Sequence, residues 1–320
     1  MNVTVIGCGV SGLTTGIRLL EENFQVTIVA RELPPQTTSD KAAAIWFPYK
    51  AYPEEKVRRW AEHSYRQFER LCRFTESGVS LVEFLQLYDM PLQSPPEWTS
   101  ALPDGKVRRA LARELPNGYR DGYIAEVPLI ETPIYMPYLL RRFERLGGKL
   151  IQKELLSYQE LQSDAAIVVN CSGLGALQLA RDKELFPIQG HILRVKAEIA
   201  VRGMADDDGH LALAYVIPRR DDCILGGTAI NDNWNTTADP ETVGQIRQKC
   251  SRLQPALEAA VLLDAYVGLR PGRREVRLEA ERLPDQRWLI HNYGHGGSGF
   301  TVSWGCAEEV VRLLKRLQTE

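Results

Sequence analysis

Paired cysteines are the first thing this chain lacks. Cys8, Cys72, Cys171, Cys223, Cys250 and Cys306 form no C-x-x-C and no regular spacing, and the five histidines are scattered, so neither a disulfide framework nor a metal site is indicated. No run approaches the roughly 18 apolar residues of a membrane span. The amino-terminal apolar stretch has no basic leader and is cut by Gly7, Gly9 and Gly12, which argues against an export signal. Charge of one sign is not concentrated either: the formal net charge is -2 over 320 residues. Short pairs such as Arg58-Arg59 and Arg108-Arg109 read as solvated faces, not as the footprint of a nucleic-acid binder. A cytoplasmic protein with free thiols, no metal, no membrane and no nucleic-acid partner is expected.

What is present is an ordinary globular composition, 44% hydrophobic and 25% charged, at a length that suits an enzyme. "NVTVI", "GCGVSG" and "LTTGIRLLEENFQVTIVA" read as strand, glycine turn, helix and strand, with Leu13, Ile17 and Leu20 at helical spacing. Val57, Trp60, Ala61, Tyr65, Phe68 and Leu71 give one face of a helix over 54–74. Residues 80–128 look turn-rich, with short strands. A helix is predicted from Thr132 as N-cap, with Pro133 in its first turn. "AAIVVN" at 165–170 runs into a second glycine turn, "CSGLGA". Residues 186–230 and 260–293 look mostly β, Asp239-Pro240 starts a helix, and the last helix begins near Thr301.

Nucleotide-type turns thus occur early, in the middle and late, with β-rich blocks between them. The pattern predicts an α/β fold in which a Rossmann-like domain (1–49, 132–182 and 284–320) is interleaved with a β-rich α+β domain (50–131 and 183–283). Gly7-x-Gly9-x-x-Gly12 lies between strand and helix, where the dinucleotide fingerprint belongs: the turn brings backbone close to a pyrophosphate and the helix N-terminus receives the anion. Which dinucleotide is bound stays open at this point. "VARE" places Arg31 where an acidic ribose ligand is usual and Glu32 one residue later, so Arg31 also fits a 2'-phosphate.

"VIGCGVSGL", "ARELPPQTTSDKAAAIWFPY", "IVVNCSG", "VGLRPGRREVRLE" and "IHNYGHGGSGFTVSWGCA" resemble, in order and separation, the D-amino-acid oxidase family of flavoenzymes. The resemblance runs end to end and implies noncovalent FAD in the Rossmann-like domain and a substrate-binding β-rich domain. It implies cofactor contacts at Gly7, Gly9, Val10, Ser11, Gly12, Arg31 and Glu32. Further contacts are implied for the hydroxyl cluster Thr37, Thr38 and Ser39, for Ala43, Ala44 and Ile45 along the flavin, and for Leu155, Ser172 and Gly173. The glycine-rich segment adds Gly296, Gly297, Ser298, Gly299, Phe300 and Thr301.

Arg270 is the strongest substrate candidate, because a guanidinium is always charged and its planar fork matches a carboxylate bidentately. By resemblance Tyr215 shares that carboxylate, Gly297 accepts a hydrogen bond from the amine, and Arg270 also touches the flavin. Phe47, Tyr49, Leu211 and Ser298 complete the substrate pocket, and its apolar character favours neutral over acidic substrates. The implied reaction takes a D-amino acid and dioxygen to a 2-oxo acid, ammonia and hydrogen peroxide, and a homodimer is compatible with it. A glycine, sarcosine or D-aspartate oxidase on the same fold, and a non-catalytic flavin-binding regulator, are the alternatives. His295 reads as structural, not as a base, and Cys306 is not expected to link the flavin.

Overall fold

The computed structural model describes residues 1–48, 51–161, 166–196, 202–207 and 209–318. Its strands, numbered along the chain, fall into two sheets. Six of them, β1 (Asn2–Ile6), β2 (Gln25–Ala30), β6 (Lys149–Gln152), β7 (Ile167–Asn170), β14 (Arg277–Arg282) and β15 (Trp288–Tyr293), are ordered β14-β15-β7-β1-β2-β6. All neighbours run parallel except β14 and β15. The inner parallel strands β1, β2 and β7 are short and largely apolar, as burial on both faces requires, whereas β6 at the sheet edge is mostly exposed. β14 lies in the stretch expected to serve the other domain, yet it hairpins onto β15, so this sheet takes up the chain some residues before the predicted boundary at 284.

Among the described residues the second sheet has nine strands: β3 (Val79–Tyr88), β4 (Val107–Arg109), β5 (Asp121–Ile130), β8 (Phe186–Lys196), β9 (Gly203–Asp206), β10 (Ala214–Pro218), β11 (Cys223–Gly226), β12 (Ile230–Asn231) and β13 (Val261–Gly272). Its order is β12-β8-β11-β10-β9-β3-β5-β4, with β13 paired along β8. Residues 80–128 therefore open and close on ten-residue strands, where short ones were expected; the turn-rich composition belongs to the connection between them. The alternation of β3 is blurred because it is covered unevenly on its two faces.

The longer helices are α1 (Val10–Glu21), α2 (Glu54–Leu71), α3 (Thr132–Arg145), α5 (Pro240–Leu253) and α6 (Gly299–Leu317), and α4 (Ala176–Leu179) is a single turn. Asp239 caps α5 by accepting from the Thr242 amide at 2.8 Å, as its position predicted. Thr132 does not cap α3. Its hydroxyl instead donates to the Asp40 and Ala42 carbonyls, 3.2 and 3.3 Å away, tying α3 to the segment 40–45. α6 starts two residues earlier than predicted and packs between α1 and α2. The α2 contact is close: a Cβ at Gly305 would overlap the Trp60 backbone, and the Gly305 amide donates to Ser64 Oγ at 3.0 Å.

Gly305→Val should therefore cost about 1–3 kcal/mol of stability, the range of overpacked cores. Chemical denaturation reads this directly, and an unchanged midpoint would mean that α2 and α6 stand further apart.

Candidate active site

Between the two sheets lies a cavity of about 610 Å³. One side is built by the first βα turn. Gly7 has φ +104°, a region closed to most residues, and a Cβ there would stand 2.5 Å from the Cys171 carbonyl oxygen on the neighbouring turn. Gly9, Val10 and Ser11 line the cavity with the first turn of α1, whose amides lack intrahelical partners. Ser39 Oγ takes one of them, accepting from the Val10 amide at 2.9 Å. Thr37 is held by a capping interaction, its amide and hydroxyl both donating to Asp40 Oδ2 at 2.9 and 2.6 Å.

Thr37, Thr38, Ser39, Ala43, Ala44 and Ile45 continue the wall, braced against β5 by the Ile130 amide donating to the Ala44 carbonyl. Leu155, Ser172 and Gly173 face it from the middle of the chain. Ser172 is positioned by Asn170 Oδ1, which accepts from its amide at 3.1 Å and its hydroxyl at 2.6 Å. Arg31 and Glu32 lie at the rim. Arg31 pairs with Glu32 and Glu154 at 3.1 and 3.3 Å, so its charge is already matched, which argues against a 2'-phosphate site.

The late glycine segment closes the cavity from above. Gly296, Gly297, Gly299 and Phe300 line it, and the Gly296 amide donates to the Pro271 carbonyl at 2.9 Å, tying this loop to the strand that carries Arg270. His295 is fully buried beneath. Its Nε2 lies 3.0 Å from Asn292 Oδ1 and its Nδ1 3.5 Å from Ser11 Oγ, and burial pushes its pKa down to about 4. Both ring nitrogens are thus engaged in fixing loop to helix.

On the opposite side, Arg270 and Tyr215 lie flat across the nine-stranded sheet. Arg270 extends from β13 over Gly190 of β8, where any Cβ would overlap the guanidinium; its Nη1 donates to the Thr228 carbonyl at 3.2 Å. Tyr215 extends from β10 over Gly226, its register partner on β11, where a Cβ would overlap the phenol. Since β8 and β11 are neighbours, the two side chains converge. Among the described residues no carboxylate is within ion-pair distance of Arg270, whereas Arg273 pairs with Asp182 at 3.0 Å and Arg277 with Glu279 at 2.7 Å. Burial raises the Tyr215 pKa and the Arg270 charge opposes that, leaving the phenol a neutral donor. Phe47, Phe84, Ile192, Leu213 and Ile217 supply an apolar wall.

Residues 2–313 match the family described as FAD dependent oxidoreductase. The chain belongs to that family. Across 309 residues it is 47% identical to a D-amino-acid oxidase of Rubrobacter xylanophilus, covering 97% of this chain and 94% of that one. It is 38% identical to a D-amino-acid oxidase of Dictyostelium discoideum, with 98% and 91% covered, and 34% identical to a D-aspartate oxidase of Homo sapiens, with 98% and 94% covered. Among solved structures, a glycine oxidase from Bacillus cereus shares the fold with a TM-score of 0.80 at 17% identity, over 99% of this chain and 95% of that one. The cofactor of this FAD dependent oxidoreductase is FAD, and the cavity suits it. A Cβ at Gly299 would meet no protein atom within 4 Å, so α6 opens on space left for a ligand.

Four expected contact residues do not line the cavity. Gly12 is spent on packing, since a Cβ there would overlap the Gly7 carbonyl. Ser298 is buried at the N-cap of α6, its amide donating to the His295 carbonyl. Thr301 uses its hydroxyl on Phe47, accepting from the amide at 3.1 Å and donating to the carbonyl at 2.9 Å. Leu211 is buried in the core with Leu85 and Tyr119; left-handed turns at Ala212 and Leu213 bring Leu213 to the cavity instead. Tyr49 lies outside the described residues. Cys306 is buried away from the cavity, and the thiols that do line it, Cys8 and Cys171, are pushed up to about 12 by burial.

Sequence reasoning missed Gly190, Gly226 and Asn292. Glycine inside a strand signals close approach of another group, which would have found the first two. Because His295 is held neutral when folded and titrates near its ordinary value when unfolded, the unfolded state binds more protons between pH 6.5 and about 4. Stability should fall through that window as pH falls, by on the order of 3 kcal/mol. A histidine resonance titrating near pH 6.5 in the folded protein, once assigned to His295 by His295→Asn, would contradict its burial.

Proposed function

We propose that the chain oxidises neutral D-amino acids to imino acids, which hydrolyse to 2-oxo acids and ammonia while dioxygen is reduced to hydrogen peroxide. The D preference rests on the names of the relatives. The observation that carries the chemistry is the convergence of Arg270 and Tyr215 in the cavity that also exposes the α1 turn and the late glycine loop. The chain divides in this reading into a part that holds FAD, centred on the parallel sheet, and a part that holds the amino acid.

FAD would be held by Gly7, Gly9, Val10 and Ser11 at its pyrophosphate. Glu32 and Arg31 would lie near its ribose, with Leu155, Ser172, Gly173 and residues 37–39 along its length. Ala43, Ala44, Ile45, Gly296, Gly297, Gly299 and Phe300 would lie about its ring. Bound FAD supplies the hydride acceptor and the path of electrons to dioxygen. The rest is positioning by the chain. The Arg270 fork takes the substrate carboxylate, the Tyr215 hydroxyl donates to it, and Gly297 accepts from the amine. The apolar wall excludes water, which strengthens each of these contacts.

A base at the α-carbon is not needed if the amine is neutral and the hydrogen leaves with its electron pair. That agrees with His295 being buried and doubly engaged. A location in a reducing cytoplasm fits six free cysteines, and no helix among the described residues is long and apolar enough to cross a membrane.

Peroxide release across paired D- and L-amino acids tests the reading. D-isomers such as D-Met and D-Leu should be consumed, and Arg270→Ala should lower kcat/KM by roughly 30-fold or more, the cost of removing one partner of a desolvated charge pair. Turnover of L-isomers alone, or an unaffected Arg270→Ala enzyme, would overturn it.

A further inference from the structure

Among the described residues four cations line the cavity: Arg31, Lys41, Lys153 and Arg270. Arg31 pairs with Glu32 and Glu154, and Lys153 lies 3.5 Å from Glu160, so the ends of β2 and β6 carry no spare positive charge. Arg270 lies flat over Gly190 of the other sheet and donates to the Thr228 carbonyl. Lys41 differs from all three: it is exposed, and no carboxylate of the described residues lies within ion-pair distance of it. Its neighbour Asp40 is turned back on Thr37, accepting from that residue's amide and hydroxyl.

Lys41 ends the short 3-10 helix Thr38–Lys41. Two residues earlier, Ser39 Oγ accepts from the Val10 amide, so this helix is fastened to the first turn of α1, where an anion is expected. On its other side the Lys41 stem passes Gly268 of β13, where a Cβ would stand 3.7 Å from that of Lys41. The stem therefore borders the cavity between the α1 turn and β13. A phosphate in a diester carries about one negative charge, so the diphosphate of FAD carries about two. The N-terminus of α1 offers the equivalent of only about +0.5. Most of that charge is left for a side chain to match.

We propose that Lys41 is the counter-cation of the FAD diphosphate, meeting its charge while the α1 amides hold its oxygens. The proposal rests on the placement of the diphosphate at the α1 turn and adds a residue to it. A lysine serves such a site as a point charge on a flexible stem, and no planar fork is required.

Two variants of the FAD-loaded protein, Lys41→Met and Lys41→Arg, test it. On dilution at low ionic strength, flavin fluorescence should show FAD leaving Lys41→Met with a Kd about tenfold higher, the loss expected when one partner of a charge pair is removed. Lys41→Arg keeps the charge and should stay within about threefold of the original. In about 0.5 M salt the gap between Lys41→Met and the original should narrow to about twofold, because exposed charges are screened. Displacement of FAD by ADP and by adenosine separates charge from shape: the preference for ADP should fall about tenfold in Lys41→Met. An unchanged Kd in Lys41→Met would refute the proposal. So would a loss that Lys41→Arg shares and salt does not touch, since that marks a merely structural role. If ADP and adenosine displace FAD equally well before any substitution, the placement of the diphosphate fails together with the proposal. A preference for ADP that survives in Lys41→Met overturns the assignment of Lys41 alone.

Discussion

A guanidinium can lie across a β-sheet only where the sheet carries no side chain, and the site depends on that constraint. Gly190 and Gly226 sit on adjacent strands, and each is overlain by a functional side chain from a neighbouring strand. Register then does the positioning. Tyr215 crosses onto its own partner, while Arg270 crosses two residues beyond its partner Ile188. A side-chain carboxylate close to Arg270 would neutralise it from within; the described residues offer none at ion-pair distance, whereas Arg273 and Arg277 on the following stretch are matched. The long pairing of β13 with β8 holds Arg270 over a rigid floor, so little entropy is left to lose on binding.

The same strand connects the two halves of the cavity. The Pro271 carbonyl accepts from the Gly296 amide, so the loop that would meet the substrate amine is fixed relative to the residue that meets its carboxylate. Behind the loop, a hydrogen-bonded chain runs from Thr15 through Asn292 and His295 to Ser11 and joins α1 to the end of β15 and the glycine-rich loop that follows it. A neutral imidazole suits this task, since a charged one would require a partner that burial does not provide. The glycine-rich end of the chain is therefore a scaffolded wall with little freedom.

Much of this was legible in the sequence. Hydrophobic spacing and the first glycine turn placed the βαβ unit, and the Asp239-Pro240 signal placed α5, because both depend on local backbone chemistry. The ten-residue strands β3 and β5 were read as shorter pieces, since long-range pairing and not local propensity sets their length. Arg270 and Tyr215 were found by motif, but the glycines beneath them were not, although a glycine within a strand is a readable sign. Leu211 and Leu213 were exchanged for a reason no spacing reveals: two consecutive left-handed residues reverse which side chain faces inward.

The claim on which the rest stands is that the glycine floor lets Arg270 and Tyr215 grip a carboxylate together. It is tested most directly by the affinity of the FAD-loaded protein for propionate in a double-mutant cycle of Gly226→Ala and Tyr215→Phe. The account predicts that each change weakens binding and that the two together cost little more than one, because the added methyl acts by displacing the phenol. Additive losses, or full affinity in Gly226→Ala, would contradict it.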